Sequence, residues 1–214
     1  MANWTLASLV RGIRTTRWPT RDNIPPGAMP LRLDGLAGDG RRGDRPHHGA
    51  DGAVSPGKAA WTFRTPHSQG PLPRRFRHSV HVRFVDAGAN GACISEVRLI
   101  DAPPYNLHRF GIFITASPRD ADVLLVAGPV TEAMREPLRK AYEAMATPRR
   151  VVAMGDEAID GGVFGKSFTS AGGVHEVIPV DFIVPGCPPP PLAIIHGLLA
   201  ATGQIDVPLA GTTP

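Results

Sequence analysis

The sequence predicts a three-layer α/β sandwich built on a mostly parallel, flavodoxin-like sheet and preceded by an irregular arm. Three observations carry that expectation. From about residue 80 onward, short apolar runs alternate with stretches of helical length and spacing. The run ADVLLVAG (residues 121–128) is almost entirely apolar, as a strand covered on both faces of a parallel sheet must be. Finally, three strand-like runs each lead into a compact loop of small residues, read as VDAGANGACISE, GDEAIDGGVFG and VPGCPPPP. In an open parallel sheet the carboxyl ends of the strands form the ligand-binding edge, so these loops are expected to converge on one site.

Taken in order, Asn3 to Trp18 places Leu6, Leu9, Val10 and Ile13 near helical spacing with Arg11, Arg14 and Arg17 available for the other side. That pattern fits either a short interfacial helix ending before Pro19 or a frayed basic terminus. From Thr20 to Ser79 the composition turns to Gly, Pro, Arg and Asp, with apolar residues too scattered to offset the entropy of ordering the chain. His47, His48, His67 and His78 fall in this stretch and are expected to be solvated, since adjacent histidines without a nearby cysteine make a poor metal site. Order is expected from Val80, with HVRFV as the first strand and a helix carrying Ile94, Val97 and Leu99/Ile100 after the first loop. FGIFITA and ADVLLVAG read as the next two strands. Thr131 reads as an N-cap, followed by Met134, Leu138, Ala141, Tyr142 and Met145 at helical spacing, with Pro137 early in the helix. RRVVAM and EVIPVDFIV complete the strands, and Leu192 to Ala201 is a short apolar helix. The expected organisation is a basic arm (1–79), an α/β domain (80–205) and a tail (206–214).

Composition narrows the function. The chain has 214 residues, 42% of them hydrophobic, enough for one core of ordinary size. No run of eighteen apolar residues is present, and arginines interleave with the apolar residues at the start, which argues against a spanning segment or a secretory signal. Two cysteines do not make a disulfide framework and favour a reducing compartment. Met1 to Ser79 carries 13 Lys and Arg against 5 Asp and Glu, whereas the remainder carries 10 against 14. The basic third suits an acidic partner or anionic lipid; base-stacking aromatics are sparse and no nucleic-acid motif is present, so nucleic acid is not expected. Asp86 and Asp156 at strand ends are expected to cap turns, no Ser-His-Asp order is visible, and the glycine-rich loops lack the Lys of a phosphate loop. No catalytic residues of its own are therefore expected.

From Val80 to Gly203 the chain resembles the small iron-sulfur subunit shared by respiratory complex I (NADH-quinone oxidoreductase) and the group 4 membrane-bound NiFe hydrogenases, including formate hydrogenlyase. The resembling stretches are VDAGANGACISE, SPRDADVLLVAGPVTEAMREPLRKAYEAM, PRRVVAMGDEAIDGGVFG and VIPVDFIVPGCPPPPLAIIHGLL. The resemblance implies electron transfer through a 4Fe-4S cluster held by four thiolates, whose positions fall here on Asn90, Cys93, Glu157 and Cys187. Only two of the four are cysteine. Three outcomes stay open: a cluster on Cys93, Cys187 and Glu157 with an outside ligand, a zinc ion on the same three residues, or an empty site with both cysteines as small apolar residues. The resemblance also implies a hydrogenase-like or complex I large subunit and integral-membrane subunits as partners, and a cytoplasmic location peripheral to the membrane. WTLASLVRGIRTTRWP is similar to the start of the ferredoxin-like partner subunit of the same hydrogenases, and this likeness implies a relic ferredoxin-like module without its cysteines. The alternative of another class is a cluster-free structural or assembly protein that binds a partner or membrane surface.

Overall fold

The computed structural model describes residues 62–76 and 78–210, so the expectations for the arm before Thr62 lie outside the described residues. Six strands form one sheet in the order β1-β8-β6-β4-β2-β3: β1 (Phe63–Arg64), β2 (Val80–Asp86), β3 (Ile112–Ile114), β4 (Val123–Ala127), β6 (Arg150–Met154) and β8 (Phe182–Val184). A separate two-stranded ribbon pairs β5 (Val130–Thr131) with β7 (Ser170–Gly172). Every pair in the main sheet is parallel except β1 with β8. The central strand β4 is flanked by β2 and β6, and all five of its residues are buried. Its continuous apolar sequence follows from helices covering both faces.

One face is covered by α1 (Ala92–Leu99) and α4 (Pro191–Ala201), which pack Ile194, Ile195 and Leu198 against Val82, Val152, Phe182 and Val184. The other is covered by α2 (Glu132–Ala144) and the short α3 (Asp156–Asp160), with Leu138, Met145, Val174 and Ile178 against Leu124, Val126 and Val151. The three layers are therefore those the sequence predicts. Helix α4 is apolar and buried at every position but His196, and it approaches β8 so closely that a Cβ on Gly197 would stand 2.4 Å from Val184 Cγ2.

Several elements differ from expectation, each for a local reason. The stretch EVIPVDFIV forms a strand only at Phe182–Val184: Pro179 has no N–H to give a ladder, and the Asp181 carboxylate takes the Val151 N–H that would otherwise extend it. FGIFITA is extended only at Ile112–Ile114, an edge strand paired on one side. Thr131 occupies the N-cap of α2, but its hydroxyl donates to Ala87 O (3.3 Å) and makes no cap bond. The chain before Val80 is not wholly irregular either. Phe63–Arg64 adds an edge strand, Leu72 enters the core at 3% exposure, and buried Arg150 holds the segment in place by donating to the carbonyls of Gly70 and Pro71. An apolar count over 20–79 misses this, because the anchoring donor lies some eighty residues away in β6.

Candidate functional site

Three loops at the carboxyl edge of the sheet are tied together by side chains. After β2, Asp86 Oδ1 accepts from the N–H groups of Gly88 (3.0 Å) and Ala89 (2.7 Å), a turn closed on itself, as expected for an aspartate at a strand end. Asn90 follows, its Oδ1 accepting from Ala92 N (3.0 Å) at the start of α1, so that Cys93 falls in the first turn and is buried at 4% exposure. After β6, Gly155 turns at φ 89° into α3. A Cβ there would stand 3.1 Å from Cys93 Sγ and 3.4 Å from Gly186 O, so only a glycine lets the first, second and third loops meet at this point. Asp156 then fastens the third loop: its N–H donates to Gly186 O (2.9 Å) and its Oδ1 accepts from Gly186 N (2.8 Å). Cys187 comes next in the chain and is exposed.

Asn90 and Glu157 bridge the first two loops directly, Asn90 Nδ2 donating to Glu157 Oε1 at 3.1 Å. Glu157 is 4% exposed, and its other oxygen, Oε2, is buried with no hydrogen-bond partner among the described residues. The electrostatics of the cradle are one-sided. Burial, then the nearby Asp156, raises the Glu157 carboxyl above its ordinary range. The Cys93 thiol is pushed up to about 12, chiefly by burial and then by Glu157, Cys187, Asp156 and Glu96. Cys187 is raised as well, by burial and then by Asp156 and Glu157. The structure thus brings Asn90, Cys93 and Glu157 to one place with Cys187 at its rim, and each titratable member is pushed toward its uncharged form.

Residues 91–201 match the family described as NADH ubiquinone oxidoreductase, 20 Kd subunit. The chain belongs to this family. Relatives of this 20 Kd subunit family member include an uncharacterized protein of Methanocaldococcus jannaschii, 44% identical over 123 residues that make up 58% of this chain and 82% of that protein. Formate hydrogenlyase subunit 7 of Escherichia coli (strain K12) is 36% identical over 135 residues, 63% of this chain. The match spans 53% of that subunit, about half its length. Among solved structures, a chain of the membrane-bound sulfane sulfur reductase, an archaeal respiratory membrane complex, superposes with a TM-score of 0.52 at 28% identity, covering 62% of this chain and 76% of that one.

The donors of this 20 Kd subunit family member do not fit the four-thiolate cluster that the resemblance implies. A neutral amide is a poor iron ligand, a carboxyl is a hard one, and here the two are bonded to each other. The remaining two positions are cysteines, one buried and one exposed, so the cradle offers two soft donors where the cluster takes four. Among the described residues, no group of three or more His, Cys, Asp or Glu side chains is arranged to hold a metal ion. Sequence reasoning missed Asp156 as the tie between the second and third loops. Its bonds to Gly186 cross 30 positions, and the only signal was an aspartate at a strand end.

Proposed function

We propose that the chain is a docking subunit of a membrane-associated, hydrogenase-like oxidoreductase complex, seated on a NiFe-hydrogenase-type large subunit and contributing no cluster of its own to the electron path. The observation that carries this reading is the loop after α3. Val163, Phe164 and Phe168 are 77%, 58% and 94% exposed, three large apolar side chains within six residues on a small domain. Scattered exposed hydrophobics need no explanation, but a cluster beside a candidate site marks a contact surface. This loop adjoins the cradle, for a Cβ on Gly162 would stand 2.9 Å from Glu157 Cγ. Family membership supports the same reading, as do the likeness to formate hydrogenlyase subunit 7 and the fold shared with a chain of a respiratory membrane complex.

Integral-membrane subunits and a ferredoxin-like subunit are proposed as further members of the assembly, with this chain peripheral to the membrane. Among the described residues no helix is long and apolar enough to cross a membrane. Co-expression with a hydrogenase-type large subunit from the same source tests the reading. The full chain is expected to co-purify with it, and Phe164→Ser with Phe168→Ser is expected to abolish that while leaving the circular dichroism spectrum and melting temperature unchanged. Purification of the native chain free of any large subunit, when the two are co-expressed, would refute it.

A further inference from the structure

The four positions of the cradle are occupied in a way that makes a resident cofactor unnecessary. In a four-thiolate site the donors face a common centre; here two of the four face each other, with Asn90 Nδ2 and Glu157 Oε1 at 3.1 Å joining residues 67 apart in sequence. Asn90 is held from both ends of its amide, since its Oδ1 accepts from Ala92 N while its Nδ2 reaches across. The third loop is fastened to the second by the paired bonds between Asp156 and Gly186. The Cys93 sulfur, in turn, lies against the backbone at Gly155. Each loop is thereby bound to its neighbour by bonds internal to the protein.

We propose that Asn90 and Glu157 form a metal-free latch: their hydrogen bond closes the first loop onto α3 where the resemblance places two cluster ligands, so the three loops assemble, and present the docking face, without iron. The latch rests on the docking reading only for its purpose, not for its existence. Burial supports it: Glu157 is 4% exposed, and the Asn90 amide is the donor that meets its Oε1 across the two loops.

Five measurements on the full chain, purified anaerobically, test the latch without any partner, so it can fail while docking stands and the reverse. Treatment with a chelator is expected to leave the melting temperature unchanged, and incubation with ferrous iron and sulfide is expected to add no visible absorbance. Asn90→Ala removes this partly buried hydrogen bond and should lower the melting temperature by about 2–4 °C. Glu157→Gln keeps an acceptor opposite Asn90 and should preserve the latch, with no loss of melting temperature. The double variant N90C/E157C, with thiols at all four positions, is expected to take up iron and sulfide under the same incubation. A chelator-induced loss of stability, stoichiometric iron and sulfide in the native chain, an Asn90→Ala variant as stable as the native chain, or a double variant that takes up no more iron than the native chain would each overturn the proposal.

Discussion

Glu157 presents two oxygens with different surroundings, one bonded to Asn90 and one enclosed with no partner among the described residues, and its proton follows from that contrast. The folded chain holds this proton more tightly than the unfolded chain, whose carboxyl keeps its ordinary value. The resulting stability is complete below that value and is lost as pH rises through the raised folded one. Thermal melts across a range from acid to neutral pH should therefore show a decline that Glu157→Gln removes. The cysteines divide in a similar way. Exposed Cys187 should react first with a maleimide in mildly alkaline buffer and buried Cys93, pushed up to about 12, at least about tenfold more slowly, with the difference vanishing in denaturant. Gly155→Ala sets a Cβ against Cys93 Sγ at a backbone angle that L residues rarely adopt; urea unfolding should show a loss of about 1–3 kcal/mol. The two cysteines are legible in the sequence by type, and Asn90 and Glu157 by position. The bond between the latter two and the fastening of Gly186 by Asp156 are not, because those depend on which strand neighbours which.

At the scale of elements, what was legible followed from how much each segment depends on its own residues. ADVLLVAG and the Met134/Leu138/Tyr142 stripe of α2 declare themselves, since burial on both faces or on one face writes itself into every position. The five-residue α3, the β5/β7 ribbon and the two-residue β1 are too short for any period to show. Arg150 illustrates how such a segment is held. At 5% exposure its guanidinium donates to Gly70 O, Pro71 O and Arg149 O, carbonyls that lose these partners if the side chain is removed. Arg150→Met is expected to cost about 2–3 kcal/mol by urea unfolding and to hasten tryptic cleavage at Arg74 and Arg75, on the short 3-10 turn of the same segment. Lysine should not rescue it, since a single ammonium cannot reproduce the fork that reaches separate carbonyls.

At the scale of the whole molecule, charge and apolar surface are distributed unevenly. The first 79 residues are strongly basic, the remainder is acidic, and the cradle carries Asp156 and Glu96 close to Cys93. The loop at Val163 to Phe168 lies beside that cradle, so an acidic edge and three exposed apolar side chains stand together where docking is proposed. Association with a basic face on a large subunit is expected to be steered by charge and anchored by the phenylalanines. Raising salt should thus slow association far more than it speeds dissociation, a difference that surface plasmon resonance on the complex would read directly.

The direction of travel through β1 decides where appendages go. Phe63 faces Ile183 and Arg64 faces Phe182, so the polypeptide enters the sheet level with Val184, just short of Cys187, and walks away from it. Pro208 to Ala210 runs alongside Arg64 in the same sense. Thr62 therefore lies at the loop-bearing edge of the sheet, whereas the segment that ends at Ala210 runs toward the opposite edge.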